Sequence, residues 1–197
     1  MGEEYSMSFE KEIQLVVLGA LISLVTTLFC KMLDYHIEKS GRVAIYRKIV
    51  YNKANGKSWG FSEIEGKMNF SISMWIEIYN PKKVPVVIRD FQLKLYNKGE
   101  LCCSMTQINS YKNVNCGNEM VYWGNKGGYS FVVPSENIVK YDLMYSIYKS
   151  DVNEVFDEVK ISYYLGKNRR VVKKLKKIVN PWESTKTEID EEWIKIV

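Results

Sequence analysis

Residues 13–33 read IQLVVLGALISLVTTLFCKML, and the interpretation of the remaining sequence depends on them. No charged residue stands between Leu15 and Cys30. An α-helix rises about 1.5 Å per residue, so about 20 residues cross the roughly 30 Å hydrocarbon core of a bilayer. The polar residues of this run are Ser23, Thr26 and Thr27. Their hydroxyls can bond carbonyl groups of the same helix, so the stretch predicts one transmembrane helix.

Two other interpretations of this stretch are a cleaved secretory signal and a buried helix of a globular domain. A signal has positive residues before its apolar core and small residues at a cleavage site after it. Here four glutamates and a single lysine precede the apolar run, and CKML follows it at 30–33. A buried helix of this length is usually amphipathic, whereas this one is apolar on all sides. The sequence therefore favours an uncleaved span.

The charges that flank the span predict its orientation. Lys and Arg near the ends of a span tend to remain on the cytoplasmic side. One basic residue, Lys11, precedes the span. Those that follow within about 20 residues are Lys31, Lys39, Arg42, Arg47 and Lys48. We therefore expect the C-terminal part in the cytoplasm and residues 1–12 outside.

Charge and length limit what the part of the chain beyond the span can be. Four glutamates and one lysine give residues 1–12 a charge of −3, which leaves +8 for the remainder of a chain whose total is +5. The positive charge lies on the side that we expect to face the anionic cytoplasmic leaflet. About 160 residues follow the span, enough for one domain with a sizeable core. The richness in Lys, Asn, Ile and Tyr indicates an A+T-rich, bacterial genome.

Beyond Gly41 the hydrophobic period changes from that of a helix to that of a strand. From Met68 to Tyr79 every even-numbered residue is apolar and most odd-numbered residues are polar, which predicts a strand with its even-numbered residues in a core. The other predicted elements are a strand from Val43 to Tyr51, a loop from Asn52 to Gly60, a strand from Val86 to Tyr96 with Val87, Phe91, Leu93 and Leu95 inward, a returning strand with Leu101, Cys103 and Met105 inward, a loop from Asn109 to Asn118, a hairpin from Met120 to Val133, a helix from Ser135 to Lys149, and a hairpin from Val155 to Lys177.

Short strands at this spacing predict an antiparallel, immunoglobulin-like β-sandwich. The predicted organisation is an acidic N-terminal segment (1–12), a transmembrane helix (13–33), a juxtamembrane helix and linker (34–42), the β-sandwich domain (43–179) and an acidic, aromatic C-terminal tail (180–197).

Residues 75–101, WIEIYNPKKVPVVIRDFQLKLYNKGEL, carry a resemblance to a known family. An alternating strand ends in Asn-Pro, a short segment leads to a proline and aliphatic residues, and a second strand ends in an Asn-x-Gly turn. This pattern resembles the core of the late-embryogenesis-abundant type 14, or water-stress and hypersensitive-response, β-sandwich family. The resemblance covers 27 of 197 residues. It implies a β-sandwich with a binding or protective role, with Asn80, Pro81 and Gly99 as structural positions and no catalytic residue.

The residues that usually carry catalysis or bind metals are scarce. His36 is the single histidine and follows the span, so a histidine-based site would have to lie at the membrane surface. Cys102, Cys103 and Cys116 lack the paired spacing of a structural zinc site, and buried apolar thiols are the favoured interpretation. Their odd number beyond the span also suits a reducing cytosol. The sequence therefore predicts no enzyme, no metal and no cofactor.

Three sets of residues are candidates for interaction. The first, which we call the basic hairpin, comprises Lys167, Arg169, Arg170, Lys173, Lys174, Lys176 and Lys177. It can lie against anionic lipid, or it can hold nucleic-acid phosphates with Tyr163 and Tyr164 stacking on bases, nucleic acid being the less favoured partner. Alternatively, these charges only keep a strand edge soluble.

The second set is the C-terminal tail, which places four large apolar residues among acidic ones, at Trp182, Ile189, Trp193 and Ile196. This tail can fold back on the basic hairpin or dock to a partner. The third set is Gly19, Ser23 and Thr27, which recur every four residues along one side of the span. Such a ridge of small residues lets two helices approach closely and predicts a homo-oligomer.

Taken together, these features predict a single-pass membrane protein whose cytoplasmic β-sandwich is a non-enzymatic binding or assembly module. Its expected contacts are the lipid bilayer and a protein partner. An alternative is a membrane effector whose span oligomerises to perturb the bilayer, with the sandwich as its sensor. An enzyme is the third hypothesis.

Overall fold

The computed structural model describes residues 2–113, 117–166, 168–183 and 187–197, and for residues 2–12 the backbone alone. It divides into two compact units, Met1–Ser40 and Gly41–Val197. The first contains helix α1, Gly2–Glu38. This helix is long and apolar enough to cross a membrane over Ile13–Glu38.

Hydroxyl groups inside the helix bond to its own backbone. Thr26 Oγ1 donates to the carbonyl oxygen of Ile22, and Thr27 Oγ1 donates to that of Ser23, both at 2.8 Å. These are the bonds expected of threonine hydroxyls in an apolar helix, because they satisfy each donor within the helix itself.

The second unit consists of antiparallel strands. Their bounds are β1 Ala44–Ile49, β2 Gly60–Ile64, β3 Lys67–Asn80, β4 Val86–Asn97, β5 Glu100–Ser104, β6 Thr106–Gln107, β7 Ser110–Asn113, β8 Glu119–Tyr122, β9 Phe131–Val133, β10 Asn137–Tyr148, β11 Glu158–Leu165, β12 Arg169–Lys177 and β13 Ile194–Lys195. A 3-10 turn, Lys149–Asp151, follows β10.

Two large sheets form the sandwich, and β7 and β8 form a separate two-stranded sheet. The first sheet has the order β13-β1-β3-β10-β6, with β2 also paired to β3, and the second has the order β12-β11-β4-β5, with β9 also paired to β4. The large apolar side chains of both sheets meet in one core, with Tyr145, Tyr163, Phe70, Phe91, Phe131 and Phe156 fully buried. The structure therefore confirms an apolar N-terminal helix followed by an all-β antiparallel sandwich.

Strand β3 confirms the period-2 interpretation of its sequence. The even-numbered residues from Phe70 to Ile78 are fully buried, whereas Trp75 and Glu77 are half-buried on the opposite face. Strand β3 lies between β1 and β10. Its inward apolar row therefore forms the centre of the first sheet's contribution to the core.

Two residues that were expected inward lie outward because of β-bulges. Asp90 adopts a left-handed conformation, with φ 54°, and the register of β4 against β11 shifts by one residue at this point. Inward positions before the bulge are thus even-numbered, so Ile88 is buried and Val87 is 42 % exposed. A second register shift, between β4 and β5, leaves Leu101 49 % exposed, while Met105 is buried as predicted.

The helix predicted from Ser135 to Lys149 is wrong, because the segment forms strand β10, Asn137–Tyr148. Its β-branched and aromatic residues favour a strand over a helix. Leu143, Tyr145 and Ile147 are buried with a period of two. Strand β10 pairs with β3 over twelve consecutive residues of each, so the tertiary pairing agrees with this intrinsic preference.

The hairpin predicted from Met120 to Val133 is also wrong, because its two arms join different partners. Strand β8 pairs with β7, which lies inside the predicted loop from Asn109 to Asn118, and β9 pairs with β4 in the second sheet. The glycine-rich turn itself forms, since Gly124 takes a positive φ of 62° and a Cβ there would lie 2.2 Å from the Gly128 carbonyl oxygen. The hairpin predicted from Val155 to Lys177 is confirmed as β11 and β12.

The β-sandwich domain extends beyond the predicted boundary at residue 179. In the C-terminal segment, β13 pairs with β1, and Trp182 packs its ring against Phe61 and Phe156. Pairing with β1 covers an otherwise open sheet edge, and the tryptophan covers apolar surface. Residues 187–197 are therefore part of the domain rather than a separate tail.

Candidate functional site

The small-residue ridge of the span is sterically open. A Cβ placed on Gly19 would have no neighbouring atom within 4 Å, and Ser23 and Thr27 are exposed along the same helix. The Thr27 hydroxyl donates to the Ser23 carbonyl oxygen, so it is already engaged within the helix. Oligomerisation through this ridge stays a prediction.

The basic hairpin divides into two parts. Lys167 lies outside the described residues. Arg169 and Arg170 are exposed beside the turn, and Arg170 Nε donates to Ser162 Oγ at 3.2 Å. Farther along β12, Lys174 forms an ion pair of 3.0 Å with Glu158. Charge is therefore free at the turn and partly neutralised toward the end of the strand.

Glu158 is the centre of that neutralisation. Lys160 lies 3.1 Å from one of its carboxylate oxygens and Lys174 lies 3.0 Å from the other. Burial acts to raise the pKa of Glu158, but hydrogen bonds from the two lysines outweigh it and hold the pKa below its ordinary value. Lys173 and Lys177 are exposed on the same strand. Since β12 is an edge of the second sheet, this part of the hairpin fits a protected strand edge.

The tail residues proposed for docking are mostly engaged within the domain. Trp182 and Ile196 pack against the core, and Ile189 is half-buried. Trp193 lies over the outer face of the first sheet, with its ring centroid 6.5 Å from that of Trp75. The structure thus places the segment against its own domain and does not present it as a free docking tail.

Asp190 binds the C-terminal segment to the sandwich through hydrogen bonds. It is 8 % exposed, and its Oδ2 accepts hydrogen bonds from Arg47 at 2.5 Å and from the Ile49 amide at 2.9 Å. Its Oδ1 accepts a bond of 3.2 Å from Lys176. Arg47 also donates to the carbonyl oxygen of Leu175 at 3.4 Å. We call these residues the Asp190 clamp, since they join β1, β12 and the C-terminal segment between the two sheets.

The clamp explains why Arg47 interrupts the apolar face of β1. Arg47 stands directly opposite Ile76 of β3, so its side chain points inward with those of Ile45 and Ile49. Burial lowers the pKa of Arg47, although the charge of Asp190 and its hydrogen bond oppose this shift. Through these bonds the inward Arg47 side chain joins the first sheet to β12 and to the C-terminal segment.

A cluster on the outer face of the first sheet was not anticipated from the sequence. The Lys140 ammonium lies 3.9 Å from the ring centroid of Trp75 and 5.4 Å from that of Trp193. Among the described residues, no carboxylate forms an ion pair with Lys140. We call Trp75, Lys140 and Trp193 the tryptophan-lysine face. The signal in the sequence was Trp75, a large aromatic residue at an outward position of an alternating strand.

Beside this face, Asp142 holds a second lysine. Lys53 lies 3.0 Å from its carboxylate and 5.1 Å from the ring centroid of Trp123, and it donates to the Tyr122 carbonyl oxygen at 2.9 Å. Burial raises the pKa of Asp142, while the Lys53 ammonium opposes the shift. Lys53 is therefore occupied, whereas Lys140 stands opposite Glu77 across the β10-β3 pair and acts on Asp142 through its charge without an ion pair.

The described thiols of the domain have the properties of inert side chains. Burial raises the pKa values of Cys102 and Cys103, and the nearby Glu154 carboxylate adds to both shifts. A raised pKa reduces the thiolate fraction at neutral pH and with it the nucleophilicity. Cys116 lies outside the described residues. Within the part of the chain that is described, no group of His, Cys, Asp and Glu side chains is arranged to hold a metal ion.

No protein-family model, no curated protein and no solved structure matches the chain. The resemblance of residues 75–101 to the late-embryogenesis-abundant type 14 family therefore stays a prediction.

Proposed function

We propose that the protein is a single-pass, membrane-anchored binding module whose β-sandwich recruits a protein partner at the cytoplasmic membrane surface. The apolar helix supports the anchor, because Ile13–Glu38 is long and apolar enough to span a bilayer. The excess of Lys and Arg on its C-terminal side supports the cytoplasmic position of the sandwich. In this proposal the domain binds and positions other molecules and does not catalyse a reaction.

The observation that carries the proposal is the tryptophan-lysine face. Tryptophan and tyrosine are enriched where proteins bind one another, because their rings offer large, rigid contact areas. Trp75 and Trp193 are half-buried, and Tyr46 lies half-buried in the strand next to Trp75. Lys140, whose charge is not neutralised by an ion pair, stands between the two tryptophan rings. The face thus combines apolar contact area with a cation and suits an acidic segment of a partner.

Reversal of the charge of Lys140 is expected to reduce the retention of partners strongly. The full chain and its Lys140→Glu variant are produced in cells of the organism that encodes the protein and are crosslinked in intact membranes. Each is then purified, and the proteins retained with it are quantified by mass spectrometry. We expect partners held by the unmodified chain to fall at least about tenfold with Lys140→Glu, because an acidic partner meets a like charge in a desolvated contact.

Lys94→Glu is the matched control, because Lys94 also points outward from the middle of a strand, on the second sheet. It changes the net charge by the same amount and is expected to retain the partners. Equal thermal unfolding of both variants shows that the domain is folded. If the two variants retain the same proteins in the same amounts, the tryptophan-lysine face is not the recruiting surface.

A thiol at Val179 is expected to show the side of the membrane on which the domain lies. Val179 is 80 % exposed, so Val179→Cys provides an accessible label site on the sandwich. In intact cells, an impermeant maleimide should not label this thiol, whereas the same reagent should label it after lysis. The unmodified chain corrects for its own cysteines. Labelling before lysis would place the sandwich outside the cell and refute the cytoplasmic topology.

A further inference from the structure

Several segments come together at the end of the sandwich where the chain enters the domain. A Cβ at Gly41 would lie 3.0 Å from Pro81, so residues 41–43 lie beside the β3-β4 loop. Asn80 Nδ2 donates to the carbonyl oxygens of Val84 and Pro134, each at 2.9 Å, which ties this loop to the β9-β10 loop. The β11-β12 turn joins the same end through the Gly166 amide, 3.4 Å from the Val87 carbonyl oxygen.

This end of the domain is positively charged. Its basic residues are Arg42, Lys82, Lys83, Arg89, Arg169 and Arg170, and we call it the basic end. None of the six forms an ion pair with a described carboxylate. Arg89 donates a hydrogen bond to the Asn168 side chain, which leaves its charge uncompensated. The acidic residues of the same segments are Asp90 and Glu136.

The opposite end of the sandwich has the reverse charge. It comprises the β2-β3 turn, the β4-β5 turn and the β10-β11 connection, the last two joined by a bond of 3.2 Å from the Lys98 amide to Asp157 Oδ1. Its acidic residues are Glu63, Glu65, Glu100, Asp151, Glu154 and Asp157, against Lys67, Lys98 and Lys149. Positive charge is therefore concentrated at one end of the sandwich and negative charge at the other. The net charge of the chain alone does not reveal this separation.

Exposed apolar side chains accompany the charges of the basic end. Val87 and Val132 stand opposite each other across β4 and β9 and are 42 % and 58 % exposed. On the first sheet, Tyr79 and Ile138 form a second cross-strand pair, 41 % and 59 % exposed. Lysine and arginine interspersed with apolar and tyrosine side chains is the composition of surfaces that lie in the headgroup layer of an anionic membrane.

We propose that the basic end docks onto an anionic phospholipid bilayer, and this inference rests on the membrane anchor of the proposed function. Chain order supports this occupant, since only Lys39 and Ser40 separate helix α1 from the domain. The chain therefore enters the sandwich at its basic end. Its cations bind lipid phosphates and carboxylates, while the two exposed apolar pairs enter the headgroup boundary. The acidic end is directed away from the negatively charged surface.

The test places a photoreactive benzoylphenylalanine at Val132 in the full chain, reconstituted into vesicles of phosphatidylcholine mixed with phosphatidylglycerol. The matched site is Val155, which is 64 % exposed and belongs to the acidic end. After irradiation, lipid adducts are counted by mass spectrometry. We expect adducts at position 132 to exceed those at 155 at least about fivefold, and to fall by a similar factor in phosphatidylcholine alone.

Charge reversal provides the second arm. The double variant Lys82→Glu with Lys83→Glu should reduce the adducts at position 132 as strongly as the removal of phosphatidylglycerol. The control, Lys98→Glu with Lys149→Glu, makes the same charge change at the acidic end and should leave them unchanged. The inference is wrong if positions 132 and 155 give equal adducts, if anionic lipid has no effect, or if an added oligonucleotide displaces the lipid from position 132.

Extraction with alkaline carbonate tests the membrane anchor independently of the docking of the basic end. A chain that resists extraction but gives no anionic-lipid dependence is anchored without docking, which overturns the inference and leaves the proposed function in place. A chain that is released by carbonate lacks the anchor, and both proposals then fail.

Discussion

Ile76→Asp is expected to unfold the β-sandwich domain. Ile76 is fully buried at the centre of β3, between Arg47 on β1 and Tyr141 on β10. The substitution removes apolar contacts and buries a carboxylate, at a cost of about 4 kcal/mol or more. Domains of this size are stable by only about 5–15 kcal/mol, so most of that margin is lost. Denaturant unfolding of the full chain in detergent, followed by tryptophan fluorescence, measures the loss.

Glu77→Gln is the control for this prediction, because Glu77 is the next residue of the same strand and points to the opposite face. It is expected to change the free energy of unfolding by less than about 0.5 kcal/mol. Equal losses from Ile76→Asp and Glu77→Gln would contradict the burial pattern of β3 and with it the arrangement of the first sheet.

Asp190→Ala is expected to open the side of the sandwich. The substitution removes the carboxylate that accepts from Arg47, Lys176 and the Ile49 amide, and it leaves the Arg47 guanidinium buried without a counter-charge. Loss of one partner of a buried ion pair costs about 3–5 kcal/mol. We expect this reduction in the free energy of unfolding, together with faster amide exchange in β1 and in residues 187–197.

Two further variants identify the cause of that loss. Glu191→Ala removes a neighbouring exposed carboxylate and should cost less than about 0.5 kcal/mol. Arg47→Met combined with Asp190→Leu removes both charges and keeps the volume apolar, so it should be less destabilising than Asp190→Ala alone. If the double variant is as unstable as the single one, the clamp acts through packing and not through its charges.

The sequence predicted the parts of the fold that have a long, regular period. The apolar run of α1 and the alternation in β3 extend over enough residues to be unambiguous, and both are confirmed. The inward face of β4 was only half correct, because a single residue in the left-handed conformation, Asp90, reverses the alternation before it. A bulge of this kind leaves no change in composition, so the period alone could not locate Val87.

The clamp and the tryptophan-lysine face could not be predicted because they combine distant parts of the chain. Arg47 and Asp190 are 143 residues apart, and nothing near either residue indicates the other. Lys140 meets Trp75 only because β10 pairs with β3, whereas the sequence predicted a helix at that segment. The basic hairpin was recognised as a charged run, but its division into a paired and an unpaired part depends on Glu158 and on the position of the turn.

The clamp also bears on the order in which the protein is made. Strand β1 leaves the ribosome early, yet its neighbour β13 and its buried partner Asp190 come from the last residues of the domain. Contacts between such distant segments form late, because the intervening chain must be synthesised and ordered first. The outer edge of β1 is therefore still uncovered after helix α1 has been synthesised. During translation, that edge is where a neighbouring nascent chain can pair, and the last strand ends the exposure.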